Sequence, residues 1–150
     1  VLEFTYLLCY PLLPLGFALV RYPGAQGGAE AYQAAVLVAA SLSYGALPWV
    51  RTRPPRAVEA PPVPHSAVRA LNERLLLGAS VQLNTFPSGH VATSVAAALC
   101  LLAARPIAGA LFVLAALGIA VTCVSRRYHY LADVVLGAAA GGVGFMVSRW

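Results

Sequence analysis

Hydrophobic positions in this chain fall into long, nearly unbroken runs of helix length. Five of them approach the roughly 20 apolar residues that a membrane-spanning helix needs: Phe4 to Val20, Tyr32 to Val50, Val91 to Ala104, Ile107 to Val124, and Tyr130 to Val147. The third is short alone and reaches span length if its helix starts near Ser88. Pro11 and Pro14 are expected to bend the first. The last carries Gly137 and Gly141 four apart, then Gly142 and Gly144, a spacing of small residues that lets helices approach closely. The pattern predicts an all-α polytopic membrane bundle of about five transmembrane helices plus a short interfacial helix, in one domain.

Composition supports the same reading. The 150 residues are 60% hydrophobic and only 10% charged, with a mean hydropathy of +0.76. That is too little charge to cover a soluble surface. The net charge of +5 comes from arginines with no lysine at all, so the choice of Arg at any one position says little. A basic balance suits anionic lipid headgroups. Nucleic acid is not expected, because the arginines lie beside the spans. Cys9, Cys100 and Cys123 sit in apolar runs without paired or metal-like spacing and read as small buried hydrophobes. The chain starts at Val1, and no basic segment or small-residue cleavage site precedes the first run, so that run does not read as a signal peptide.

Connections between spans alternate sides of a membrane. The loop after the second span and the loop after the fourth therefore share a face. Together they hold Arg51-Thr52-Arg53-Pro54-Pro55-Arg56, Phe86-Pro87-Ser88-Gly89-His90, and Arg126-Arg127-Tyr128-His129-Tyr130-Leu131-Ala132-Asp133. The first of these loops is long, as functional loops often are. Its 60–64 stretch should be extended polyproline II. Ser66 to Leu77 reads as a short amphipathic helix in the interface plane, with Val68, Leu71, Leu75 and Leu76 on one side and Arg69 and Glu73 on another.

His129 and Asp133 are four apart and share a helix face. A carboxylate holding one ring nitrogen frees the other as nucleophile or base, although such a pair can also simply tie down a helix end. Pro87-Ser88-Gly89-His90 has the grammar of a helix start with Ser88 as N-cap. Free amides there bind anions, Gly89 admits a phosphate close to the backbone, and His90 stands where it can protonate a leaving oxygen. The plainer alternative is an ordinary capped helix with an interfacial histidine. Arg53, Arg56, Arg126 and Arg127 either flank spans as plain positive residues or grip phosphate oxygens. His65, in the proline-rich loop, is given no role. Tyr128 and Tyr130 read as packing or headgroup contacts.

These residues resemble the type 2 phosphatidic acid phosphatase superfamily. Its second motif is complete as Pro87-Ser88-Gly89-His90, and its third keeps His129 and Asp133. Its first survives only as Arg53-Pro54. The family's lysine would fall on Ala46 and its third-motif arginine on Cys123, with Arg126 and Arg127 nearer the histidine instead. This compact form is similar to the branch containing inositol phosphorylceramide synthase-like proteins. The resemblance covers the second to fifth runs and implies that a further family helix precedes the first.

What the resemblance implies is a lipid phosphate substrate and a two-step reaction. His129, oriented by Asp133, attacks phosphorus. Arg53, Arg126 or Arg127, with Arg56 as a further candidate, and the Ser88–Gly89 amides hold the oxygens, and His90 serves as acid and then base. No metal or cofactor is expected, since only one acid lies near the pocket. A lipid phosphotransferase and a non-catalytic membrane scaffold stand as alternatives. The arginine count places the active face in the cytoplasm. The resemblance instead implies the outer face of a bacterial cytoplasmic membrane.

Overall fold

The computed structural model describes residues 2–21, 28–50, 52–58, 67, 70–71, 74 and 86–149. All regular structure among them is helical: α1 (Leu2–Leu7), α2 (Cys9–Arg21), α3 (Gly28–Gly45), α4 (Pro55–Val58), α5 (Gly89–Ala104), α6 (Pro106–Ser125) and α7 (Leu131–Val147).

The first apolar run is broken rather than bent. Pro11 lacks an N–H, and its ring crowds the carbonyl four residues back, which is that of Leu7. Helix α1 ends there, and Leu8 turns the chain into α2. The second helix lies earlier than the hydrophobic run suggested. It stops at Gly45, and turns carry the chain past Pro48, with the Trp49 and Val50 amides donating to the Ala46 carbonyl. Helices α5 and α6 form a tight hairpin through the single residue Arg105, with Pro106 at the first position of α6, where its missing N–H costs nothing.

Helix α5 is the centre. It contacts α2, α3, α6 and α7 and buries residues around most of its circumference. Towards α3 and α7 the filling is small: Ala35, Ala39, Ala92, Ala96 and Ala140 form one buried seam. Backbones nearly touch along it. A Cβ on Gly137 would stand 2.5 Å from the Ser88 carbonyl oxygen, and one on Gly141 2.5 Å from that of Ala92. A larger cluster built from Tyr6, Cys9, Leu12, Phe112, Ile119 and Tyr128 packs α1, α2 and α6 against the opposite side.

Large aliphatic side chains face outwards instead. Leu37, Leu111, Leu114, Leu117, Val135 and Met146 are exposed, and Ile107 is 85% exposed. A seam of small residues joining α3, α5 and α7, with large apolar residues facing outwards, is the arrangement of helices packed in lipid. Among the described residues one helix, Pro106–Ser125, is long and apolar enough to cross a membrane. Cys9–Arg21, Gly89–Ala104 and Leu131–Val147 are apolar but shorter. Of the five expected runs, one thus forms a described helix that meets both criteria: the proline break shortens the helices of the first, and α3 includes Glu30, Gln33 and two serines. The 60–64 stretch and His65 lie outside the described residues. Of the expected interfacial helix, Ala67, Ala70, Leu71 and Arg74 are described, and each is helical and exposed.

Candidate active site

The turn between α6 and α7 delivers His129. Helix α6 ends on Arg126, and Arg127 follows with φ 62°, in the left-handed region that glycine usually fills after a helix. The Tyr128 amide donates to the Cys123 carbonyl (2.9 Å) and the Arg127 amide to that of Val124 (3.0 Å). This is the paired closure of a Schellman turn. The His129 amide also donates to the Cys123 carbonyl, at 3.0 Å. The position where the family's arginine would fall is therefore a fully buried cysteine whose carbonyl anchors the loop. A left-handed non-glycine residue costs about 1–2 kcal/mol, so Arg127 holds this place against its backbone preference.

Tyr130 is the N-cap of α7 and Asp133 its third residue. The Tyr130 amide donates to Asp133 Oδ2 at 3.0 Å, so the carboxylate reaches back to the cap as in half of a capping box. The same oxygen stands 3.5 Å from His129 Nδ1. Asp133 is 2% exposed and His129 9%, so the pair is shielded from water. Among the described residues, no three His, Cys, Asp or Glu side chains converge as a metal-binding group.

The other arm starts at Ser88, the N-cap of α5. Its side chain makes no cap bond, unlike the expected arrangement. Its hydroxyl is buried without a hydrogen bond of good geometry, beside the weakly polar Cys123 thiol. The backbone is well tied, however. The Ser88 amide donates to the Asp133 carbonyl at 3.0 Å, and the Ser88 carbonyl accepts from Ala92. One main-chain bond thus joins the two motifs. The Gly89, His90 and Val91 amides follow at the helix start, where no intrahelical acceptor is available.

His90 and His129, 39 positions apart in the sequence, have ring centroids 6.3 Å apart. One phosphate group can touch both. The remaining expected residues are placed less tightly. Arg126 and Arg127 are half-buried on the turn. Arg53 is exposed ahead of buried Pro54 and Pro55. Arg56 belongs to α4, but its side chain, like all of Arg51, lies outside the described residues. At Gly89 the space its missing Cβ leaves is taken by the Tyr44 ring, whose nearest atom would be 2.7 Å away.

Sequence reading missed the aromatic wall around His90. The Tyr6 hydroxyl stands 3.5 Å from His90 Nε2, Tyr10 meets the imidazole edge-on at 6.1 Å, and Tyr6 stacks on Tyr128 at 4.5 Å. Tyr128 packs, as expected. An apolar groove of about 300 Å³ also runs beside the site. Helix α5 floors it with Val91 and Val95, and Leu117 and Ala120 of α6 face Val134, Val135 and Ala138 of α7 across it. Two of its lining residues, Val91 and Val134, are next in sequence to His90 and Asp133.

Residues 30–150 match the family model of the PAP2 superfamily, and the chain belongs to that superfamily. Its members are phosphatases and are generally membrane-associated. The match spans α3 to α7 and leaves α1 and α2 outside it. Searches of curated proteins and of solved structures each returned no match.

Proposed function

We propose that this chain is a membrane-embedded, metal-independent phosphatase that hydrolyses a lipid phosphate or diphosphate through a phosphohistidine. The observation that carries the reading is the 6.3 Å approach of the two imidazoles, with a buried carboxylate behind one of them.

With its Nδ1 proton held by Asp133, His129 keeps the Nε2 lone pair for attack on phosphorus. As the N–P bond forms, the bond to the leaving oxygen breaks, and His90 donates a proton to that oxygen. Water then attacks the phosphohistidine while His90 takes its proton. The P–N electrons return to Nε2, and phosphate departs. The Gly89 and His90 amides and the α5 dipole offset charge on the equatorial oxygens. Arg126, Arg127, Arg53 and Arg56 supply the guanidinium contacts.

The lipid part of the reading rests on the groove. A wholly aliphatic groove, two of whose lining residues are next in sequence to His90 and Asp133, fits a hydrocarbon tail better than a soluble phosphate ester. The outward aliphatic faces support a bilayer setting, in which the shorter apolar helices complete a five-helix bundle by tilting or by local thinning of the lipid. By resemblance the pocket faces the outer surface of a bacterial cytoplasmic membrane. A second reading, transfer of the phosphoryl-bearing group to a lipid hydroxyl, is favoured by the compact Arg127-Tyr128-His129-Tyr130 arrangement.

Phosphate release from phosphatidic acid and from an isoprenyl diphosphate, measured in detergent micelles, tests these readings. The wild type should turn over at least one of them, and His129→Ala should lose about 10³-fold or more in kcat. Release that needs an added acceptor lipid identifies a transferase. Undiminished turnover by His129→Ala removes the phosphohistidine, and no turnover on any lipid phosphate leaves a scaffold.

A further inference from the structure

Tyr44 stands on the last turn of α3, a helix seated against α5 and α7 by the alanine seam. Its carbonyl accepts from the Leu47 amide at 3.2 Å, so the turn that carries it is tied down. The ring reaches across to the start of α5. A Cβ on Gly89 would lie 2.7 Å from the Tyr44 Cζ and 2.8 Å from its hydroxyl oxygen. Any side chain at this position would collide with the phenol end of Tyr44, and a glycine lets it in.

Cα–Cβ bonds tilt towards the N-terminus of their helix. An oxygen beside the Cβ place of Gly89 therefore stands towards the amide end of α5. The Gly89, His90 and Val91 amides point that way without intrahelical acceptors. Just before them the Ser88 hydroxyl, fully buried, also lacks a hydrogen bond of good geometry. Tyr44 lies within electrostatic reach of Tyr10, whose ring meets the His90 imidazole edge-on. It is 53% exposed, so it borders the open side of the site rather than its sealed interior. A phenol carries one O–H donor and no charge. Beside an oxyanion it acts as a further amide would, adding a donor to those of the helix start.

We infer that Tyr44 is a substrate-binding residue whose hydroxyl donates a hydrogen bond to a phosphoryl oxygen held at the first turn of α5. That the anion is a phosphoryl group rests on the phosphatase reading above. The bond forms when substrate binds and persists through the transition state, so its loss is felt in affinity more than in the chemical step.

The test compares the wild type with Tyr44→Phe in detergent micelles. Phenylalanine keeps the ring beside Gly89 and removes the oxygen alone. Titration calorimetry with an alkyl phosphonate, whose P–C bond resists hydrolysis, reads binding without turnover. Tyr44→Phe should bind the phosphonate about tenfold more weakly, as expected for a lost hydrogen bond to a charged group. In the lipid phosphatase assay KM should rise by a similar factor, with kcat changed by less than about twofold, and the thermal midpoint should stay where it was. Equal phosphonate affinity in the two proteins overturns the inference, as does a wild type with no measurable affinity. A fall in kcat and thermal midpoint together, with affinity kept, marks Tyr44 as packing and overturns it too. Should Tyr44→Phe fail to fold, the carbon-13 signal of the wild-type Tyr44 Cζ decides: it should shift on adding phosphonate, and an unmoved signal overturns the contact. If no lipid phosphate is turned over, the phosphatase reading fails while phosphonate binding still judges Tyr44.

Discussion

Gly137 and Ala138 are neighbours on α7, yet they face two different worlds. Gly137 presses against the Ser88 carbonyl in the seam with α5, whereas Ala138 lines the open groove between α6 and α7. One side of the helix is closed to the limit of backbone contact, and the side about 100° round admits a guest. Close packing holds the polar groups in register, while loose packing leaves room for a tail. Rigidity and access are therefore built from the same few turns, separated by the pitch of one helix.

Three substitutions break or sharpen that contrast. The largest effect is expected at the top of the closed side. Asp133→Asn keeps an oxygen for the Tyr130 amide but gives up the carboxylate behind His129, and kcat for lipid phosphate hydrolysis should fall by about 10²-fold or more. Its thermal midpoint should change little, and a variant with wild-type kcat would remove Asp133 from the mechanism. Next comes Gly137→Ala, whose new methyl group would meet backbone rather than a yielding side chain. Overpacking of that kind should destabilise the protein by about 2 kcal/mol, read as a lower unfolding midpoint in detergent. Ala138→Leu should leave stability nearly unchanged because the groove has room. It should instead raise KM about tenfold for long-chain substrates and hardly at all for a short-chain analogue. Equal changes for both chain lengths would show that the tail runs elsewhere.

Much of this was legible beforehand, for reasons that can be stated. The α6 and α7 runs lay within a residue or so of their helices, because Pro106 and Tyr130 mark their starts and polar residues end them. The meeting of His90 and His129 followed from counting crossings, since loops separated by two spans must share a side. The break at Leu8 was harder to read, because the effect of Pro11 is felt four residues upstream of the proline itself. The aromatic wall was illegible. Tyr6 and Tyr10 sit in an apolar run with no spacing that ties them to a histidine 80 or more positions away. Nor does the glycine of Pro87-Ser88-Gly89-His90 announce that a tyrosine from α3 will occupy its vacant side. The groove, lined by the same residue types that face outwards, has no signature in a hydropathy pattern.

The bond from the Ser88 amide to the Asp133 carbonyl has a consequence for how such a protein tolerates change. It is made by atoms that every residue except proline carries at the donor position. Side chains on both sides can drift through generations without loosening the clasp, while the reactive groups ride on it as replaceable fittings. A lineage can therefore change the side chains around the pocket without having to rebuild the frame that brings the two imidazoles together.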